Sequence, residues 1–222
     1  MRERIRFPAD GASAEGYLAS PEAGEEGRAG VVVIQEWWGL DDHIKDIAER
    51  LGRAGFLALA PDLYDGKVTQ SSDEAQRLLR ALRIDKAAVD LAGAVSFLEA
   101  RTGKPVGTVG YCMGGALSLF AACRAGRSVG ACFVYYGGHS QVQYPFESLT
   151  APVLGHFAEE DPYVNAGVPA IEASMKRMNR SYAFHTYTGT RHGFFNDTKA
   201  AFNAEAARQS WERTLEFFGR QL

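Results

Sequence analysis

The stretch "AGVVVIQ", residues 29–35, constrains the fold more than any other. A strand with one face in water alternates apolar and polar residues, whereas an unbroken β-branched run suits a strand covered on both faces. Covering helices are available in the sequence. In "DDHIKDIAERLGRAG", Ile44, Ile47, Ala48 and Leu51 recur at helical spacing. Asp41 or Asp42 can cap that helix and Gly55 can close it. "FLALAPDLY" reads as a second buried strand stopped by Pro61, and "SDEAQRLLRAL" and "DKAAVDLAGAVSFLEAR" as helices. The pattern continues with strands "PVGTVGY", "VGACFVYYG", "APVLGHFA" and "SYAFHTYTG", and with helices from "GGALSLFAACRAG", "VPAIEASMKRMN" and the last 22 residues. Strand and helix alternation of this kind predicts an α/β fold, a mostly parallel sheet with helices on both faces. Two early strands, "ERIRF" and "EGYLAS", flank the turn "ADGAS", and "PEAGEEGRAG" (21–30) reads as a surface loop. No repeat, low-complexity tract or linker breaks the chain, so residues 1–222 are expected to form a single domain.

Composition removes several classes of function. The net charge is −3 and no long Lys/Arg run occurs, which gives nucleic acid nothing to bind. Three cysteines without a CxxC pair fit neither a disulfide framework nor a zinc knuckle. "MRERIRFPADG" is charged with no apolar segment after it, and no apolar run approaches the ~20 residues that span a bilayer. The expectation is a cytoplasmic protein with no membrane contact and no metal.

The chemistry centres on "VGTVGYCMGG". Gly110-Tyr111-Cys112-Met113-Gly114 is a G-x-nucleophile-x-G pattern at a sharp turn from strand to helix. The helix that follows aims its N-terminal amides and positive dipole end at the sulfur, favouring a thiolate. The Met113 amide then faces the place where an oxyanion would form. Cys123, inside a helix, and Cys132, inside a strand, read as core. A nucleophile needs a base and the base an orienter, and in such folds these follow in chain order after later strands. "EEDPYV" offers Asp161, with Glu159 and Glu160 as rival acids, and "TRHGFFND" offers His192. His43, His156 and His185 fall in predicted elements; His139 follows Gly137-Gly138 near the same rim. "IQEWWGL" ends the first buried strand with Glu36 between apolar neighbours, where a solvated charge is hard to explain, and the Trp37 amide is suited to be a second oxyanion donor.

Taken together, "QEWWGL", "LAPDLY", "VGYCMGG", "YYGG", "EEDPYV" and "RHGFFND" resemble the dienelactone hydrolase (carboxymethylenebutenolidase) family over nearly the whole chain. The resemblance implies a single-domain α/β-hydrolase that opens a lactone or ester through an acyl-thioenzyme, without a cofactor, on a small-molecule substrate. It implies Cys112 as nucleophile, His192 as base and Asp161 as orienter. Glu36 would hold the thiol in the resting enzyme, and the Met113 and Trp37 amides would form the oxyanion hole. Independently, a carboxylate ending a strand beside that of Cys112 is expected to keep the resting thiol protonated and turned away from His192. Known members place an arginine four residues after the histidine to hold a substrate carboxylate; this chain has Asn196. Candidate substrate contacts are therefore Asn196, Tyr136 of "YYGG", and Arg80 and Arg83 on a neighbouring helix, with Arg77 and Arg191 as further cations. A redox or sensor thiol and a non-catalytic protein on the same scaffold are the alternatives, and either a monomer or a homodimer fits.

Overall fold

The computed structural model describes residues 2–22, 29–139 and 142–222. The loop expected over 21–30 lies mostly outside them. Strands β1 (Arg2–Ala9) and β2 (Ala12–Ala19) form an antiparallel hairpin closed by Asp10 and Gly11, both at positive φ. There follow β3 (Gly30–Ile34), helix α1 (Asp42–Arg53), β4 (Leu57–Pro61), α2 (Ser72–Ala81) and α3 (Ile84–Thr102). Then come β5 (Val106–Tyr111), α4 (Met113–Ala125), β6 (Val129–Tyr135), β7 (Val153–Glu160) and α5 (Pro162–Asn165). The chain ends with α6 (Val168–Arg177), β8 (Tyr182–Arg191) and α7 (Ala204–Gln221).

Among the described residues eight strands make one sheet in the order β1-β2-β4-β3-β5-β6-β7-β8. The hairpin adds antiparallel to β4, and from β4 to β8 every neighbouring pair is parallel. After β4 the chain crosses back past β3 to enter β5. The carboxyl ends of β3 and β5 are therefore neighbours from which the chain leaves in opposite directions, the place where open α/β sheets bind ligands.

The β-branched run does what its pattern requires. Val32 and Ile34 pack with Leu91 and Leu98 of α3 and Leu117 of α4, while Val31 and Val33 pack with Ile44 and Leu51 of α1 and Phe218 of α7. Period-2 alternation thus divides one strand between two apolar layers. Of the two aspartates proposed as caps, Asp41 caps α1, its Oδ1 accepting from the Ile44 amide at 3.0 Å. Gly55 closes that helix at φ 90°. Two expectations need correction. Strands β7 and β8 run further than their apolar runs, to Glu160 and Arg191, because β-pairing continues where the side chains turn polar. Pro162 of "EEDPYV" suggests a turn after Asp161, but the segment is a short helix, α5, with Pro162 in its first turn, where a missing N–H costs nothing.

Phe218 fastens α7 to the sheet. Its ring lies 4.2 Å from Phe133 and 5.3 Å from Phe56, centroid to centroid, and it fills space that a side chain at Gly107 would occupy. Phe218→Ala should reduce unfolding free energy by about 3–5 kcal/mol in urea titrations. A loss below about 1 kcal/mol would mean that α7 does not depend on this ring.

Candidate active site

Cys112 occupies the sharp bend between β5 and α4 at φ 56° and ψ −121°, a conformation that costs an L-residue energy. The bend persists because the glycines around it let backbones close in. A side chain at Gly110 would collide with the Gly114 carbonyl, and one at Gly114 with the carbonyls of Ile34 and Gln35 at the end of β3. One at Gly137 would strike Gly115 and Ala116, which accounts for the first glycine of "YYGG". The α4 N-terminus is thereby pressed against the ends of β3 and β6, where its first amides have no intrahelical acceptor. Trp37 and Met113 both line the cavity that opens there, as does Cys112.

Asp161 follows β7 and His192 follows β8. Asp161 is buried; one carboxylate oxygen accepts from the Val164 amide at 3.3 Å and the other lies 2.6 Å from His192 Nδ1. Burial pulls the imidazole's proton affinity down, but hydrogen bonds to Asp161 and Cys112 and the charges of both outweigh it, so His192 is pushed up to about 10. The structure thus brings Cys112, His192 and Asp161 together. Glu159 and Glu160 face outward instead, Glu159 accepting from the Gly189 amide and Glu160 pairing with Arg191.

Glu36 is also here, 3% exposed. Asn196 Nδ2 donates to its Oε2 at 2.7 Å, and the Tyr136 hydroxyl is 3.5 Å from its Oε1. Burial raises the carboxyl to about 7; Asp41 adds to the rise, while the Asn196 bond, His192 and Lys199 oppose it. The hydrogen bonds of Glu36 among the described residues go to Asn196 and Tyr136, and none joins it to the Cys112 thiol that was expected to turn toward it.

The cavity has a volume of about 650 Å³ and walls that are mainly apolar, from Trp37, Trp38, Leu79, Met113, Tyr163 and Val164. Several expected substrate contacts are reassigned. Asn196 borders the cavity, but its amide is committed to Glu36. Tyr136 is fully buried at φ 37°, 5.0 Å ring to ring from His192, and supports the site from behind. Arg83 pairs with Asp85 in solvent, Arg77 with Glu74 and Arg191 with Glu160, and none lines the cavity. Arg80 and His139 do. Lys199 was missed: its ammonium lies 3.9 Å from the Trp38 ring centroid at the cavity wall. Its place seven residues beyond His192, on the same loop, was a usable signal. Tyr163 was also missed; it is 71% exposed at the rim, on the helix that follows Asp161. Cys123 and Cys132 are buried away from the cavity, and burial pushes their thiols up to about 12 and about 11.

A sheet of this order, with a strained residue between β5 and α4 and an Asp–His pair after the next parallel strands, defines the α/β-hydrolase class. The chain belongs to the dienelactone hydrolase family, whose sequence profile matches residues 14–222, and it is accordingly a lactone or ester hydrolase. It is 32% identical over 233 residues to "Protein usf" of Aquifex pyrophilus, with all of both chains covered. It is 30% identical over 234 residues to the "Putative carboxymethylenebutenolidase" of Aquifex aeolicus (strain VF5), again over all of both chains. The solved structure titled "Putative Dienelactone Hydrolase" from Klebsiella pneumoniae subsp. pneumoniae superposes with a TM-score of 0.88 at 25% identity, covering 99% of this chain and 98% of that one. Among the described residues no helix is long and apolar enough to cross a membrane.

The Asp161 contribution to His192 is measurable without substrate. Asp161→Asn removes a charge and should lower the His192 protonation midpoint by at least about one unit, read from the imidazole resonances in an NMR pH titration. An unchanged midpoint would show that the 2.6 Å contact carries no charge stabilisation.

Proposed function

We propose that this chain hydrolyses lactones and carboxylic esters through a Cys112 acyl-thioenzyme. The observation that carries the reading is the 2.6 Å hydrogen bond that Asp161 accepts from His192, on a cavity that this imidazole shares with Cys112 at a helix N-terminus. An imidazole that holds its proton beside the sulfur favours a thiolate–imidazolium pair. The thiolate attacks the substrate carbonyl, and the Met113 and Trp37 amides take the oxyanion. The tetrahedral species collapses, its C–O bond breaks, and His192 gives its proton to the departing oxygen. Once the sulfur is acylated its charge no longer supports the imidazolium. His192 then loses much of what raised it and can take a proton from the attacking water. Hydrolysis releases the acid and restores the pair.

Glu36 acts in this scheme as a charge. A carboxylate near the sulfur disfavours the thiolate by like-charge repulsion, and so restrains a group open to oxidation. All these groups come from one chain, so a single domain suffices and a monomer or homodimer would serve. A thiolate nucleophile suits the reducing cytoplasm. The redox alternative is disfavoured because neither Cys123 nor Cys132 lines the cavity to act as a resolving thiol.

The substrates are small molecules with an apolar body. Arg80 and Lys199 are available to an acidic substituent: among the described residues neither forms an ion pair with an acidic side chain. Arg80 is exposed and Lys199 half-buried, so solvent limits their effect. Lys199→Ala should raise KM for a carboxylated p-nitrophenyl ester by about two- to fivefold, with little change for a neutral one. Equal changes for both would remove Lys199 from recognition.

The main test is turnover of p-nitrophenyl acetate. Cys112→Ala should abolish it with the fold intact, and Cys112→Ser should keep at most a trace. Near-normal activity in Cys112→Ala would overturn the scheme. For Glu36, the Cys112 thiolate should be titrated by its absorbance near 240 nm in a background lacking Cys123 and Cys132. Glu36→Gln should lower the midpoint, since it removes a like charge; an unchanged or higher midpoint would leave Glu36 without this role.

A further inference from the structure

The bond from Asn196 to Glu36 is only as useful as the orientation of the amide. A primary amide has donors at one end and an acceptor at the other, of nearly the same size. A half-turn of the side chain would set Oδ1 against the carboxylate, and Glu36 could then be accepted only in its protonated form. What fixes the orientation lies two residues further on. The Thr198 backbone N–H donates to Asn196 Oδ1 at 3.0 Å, and the Thr198 hydroxyl donates to the same oxygen at 2.7 Å. With both donors on Oδ1, Nδ2 is turned to Glu36 Oε2 at 2.7 Å. The intervening residue pins the segment from outside: Asp197 accepts from Arg50 of α1 at 2.8 Å and lies 3.3 Å from His43 Nδ1.

We propose that Thr198 is a positioning residue for Glu36: by fixing the Asn196 amide it keeps a neutral donor on a buried carboxylate, and so sets the pH at which that carboxylate becomes charged. The inference rests on the reading of Glu36 as the charge that governs Cys112. Other groups bear on Glu36 from every side. Asp41, ahead of α1, opposes its charge; His192, after β8, and Lys199 favour it. The Tyr136 hydroxyl, after β6, reaches it at 3.5 Å, and Tyr111, at the end of β5, senses its charge. Among the described residues no lysine or arginine forms an ion pair with Glu36, and Asn196 supplies its shortest hydrogen bond. The amide therefore carries most of the direct stabilisation of the carboxylate, and its orientation matters accordingly.

The test is a carbon-detected NMR titration of protein labelled at the glutamate carboxyl carbons, with Glu36 assigned by its loss in Glu36→Gln. Thr198 is exposed, so its substitution leaves the core intact. Thr198→Val removes one of two donors to the amide oxygen and should raise the Glu36 midpoint by about half a unit to one unit. Asn196→Leu removes the donor to Glu36 itself and should raise it by about one to two units. Thr198→Ser keeps the hydroxyl and should return the midpoint to within about 0.2 units of wild type. An unchanged midpoint in Thr198→Val, or a shift in Thr198→Ser as large as that in Thr198→Val, would overturn the proposal. Alkylation of Cys112 by iodoacetamide near pH 7 is the second readout. It should rise at least about twofold in Thr198→Val and Asn196→Leu, as the restraining charge is lost. If the midpoint moves and alkylation does not, Thr198 keeps its positioning role and the reading of Glu36 as the charge on Cys112 falls.

Discussion

The structure depends on how closely α4 is pressed onto the ends of β3 and β6. That closeness is a matter of missing side chains: Gly110, Gly114, Gly115 and Gly137 each stand where a Cβ would meet backbone. Without it, Cys112 would not be forced to φ 56°, and the helix N-terminus would not open into the crevice between β3 and β5. Backbone strain at one residue is a small cost against the burial of β3 and β5, every residue of which is buried. The rigid sheet thus holds the sulfur in a conformation that a free loop would abandon.

The second consequence is electrostatic. The crevice that receives α4 also receives the residues after β3, so Glu36 is drawn into a largely apolar environment with little exposure to water. Burial alone would leave it neutral, and charge alone would require a cation. The molecule uses neither extreme: burial raises the carboxyl to about 7, with the Asn196 amide and the more distant charges of His192 and Lys199 opposing the rise. A group balanced there changes charge in response to small changes nearby, including the arrival of a ligand. A cation in contact would have fixed it as a carboxylate.

The fold was readable because its signals are local and repeated. The β-branched run of β3, the helical spacing of α1 and the glycine pattern around Cys112 each specify a conformation within a few residues. The Cys112, His192 and Asp161 positions followed because each ends a strand, and parallel strands put such ends on one rim. What could not be read was which side chains already had partners. Asn196 looked like a substrate contact because its register suggested one, but Glu36 stands 160 positions away in sequence and takes its amide. Arg83 looked available until Asp85, two residues on, claimed it. Tyr136 sits on the correct loop, but its left-handed backbone puts the ring behind His192 and out of the cavity. Pairing between side chains distant in sequence is decided by packing, and no periodicity reports it.

In the proposed reaction, the electrostatics of His192 would let one imidazole serve both halves. Two of the influences that raise His192 come from Asp161 and two from Cys112. The Asp161 pair is permanent, because its carboxylate is buried and tied to the Val164 amide. The Cys112 pair lasts only while the sulfur is free. An acyl group on sulfur would therefore leave the imidazole oriented as before but less basic, which is what a group that first donates a proton and then accepts one requires. The permanent partner fixes the geometry and the transient one shifts the proton affinity. Because these partners sit at the ends of β7 and β5, on either side of β6, the parallel sheet sets both on one rim.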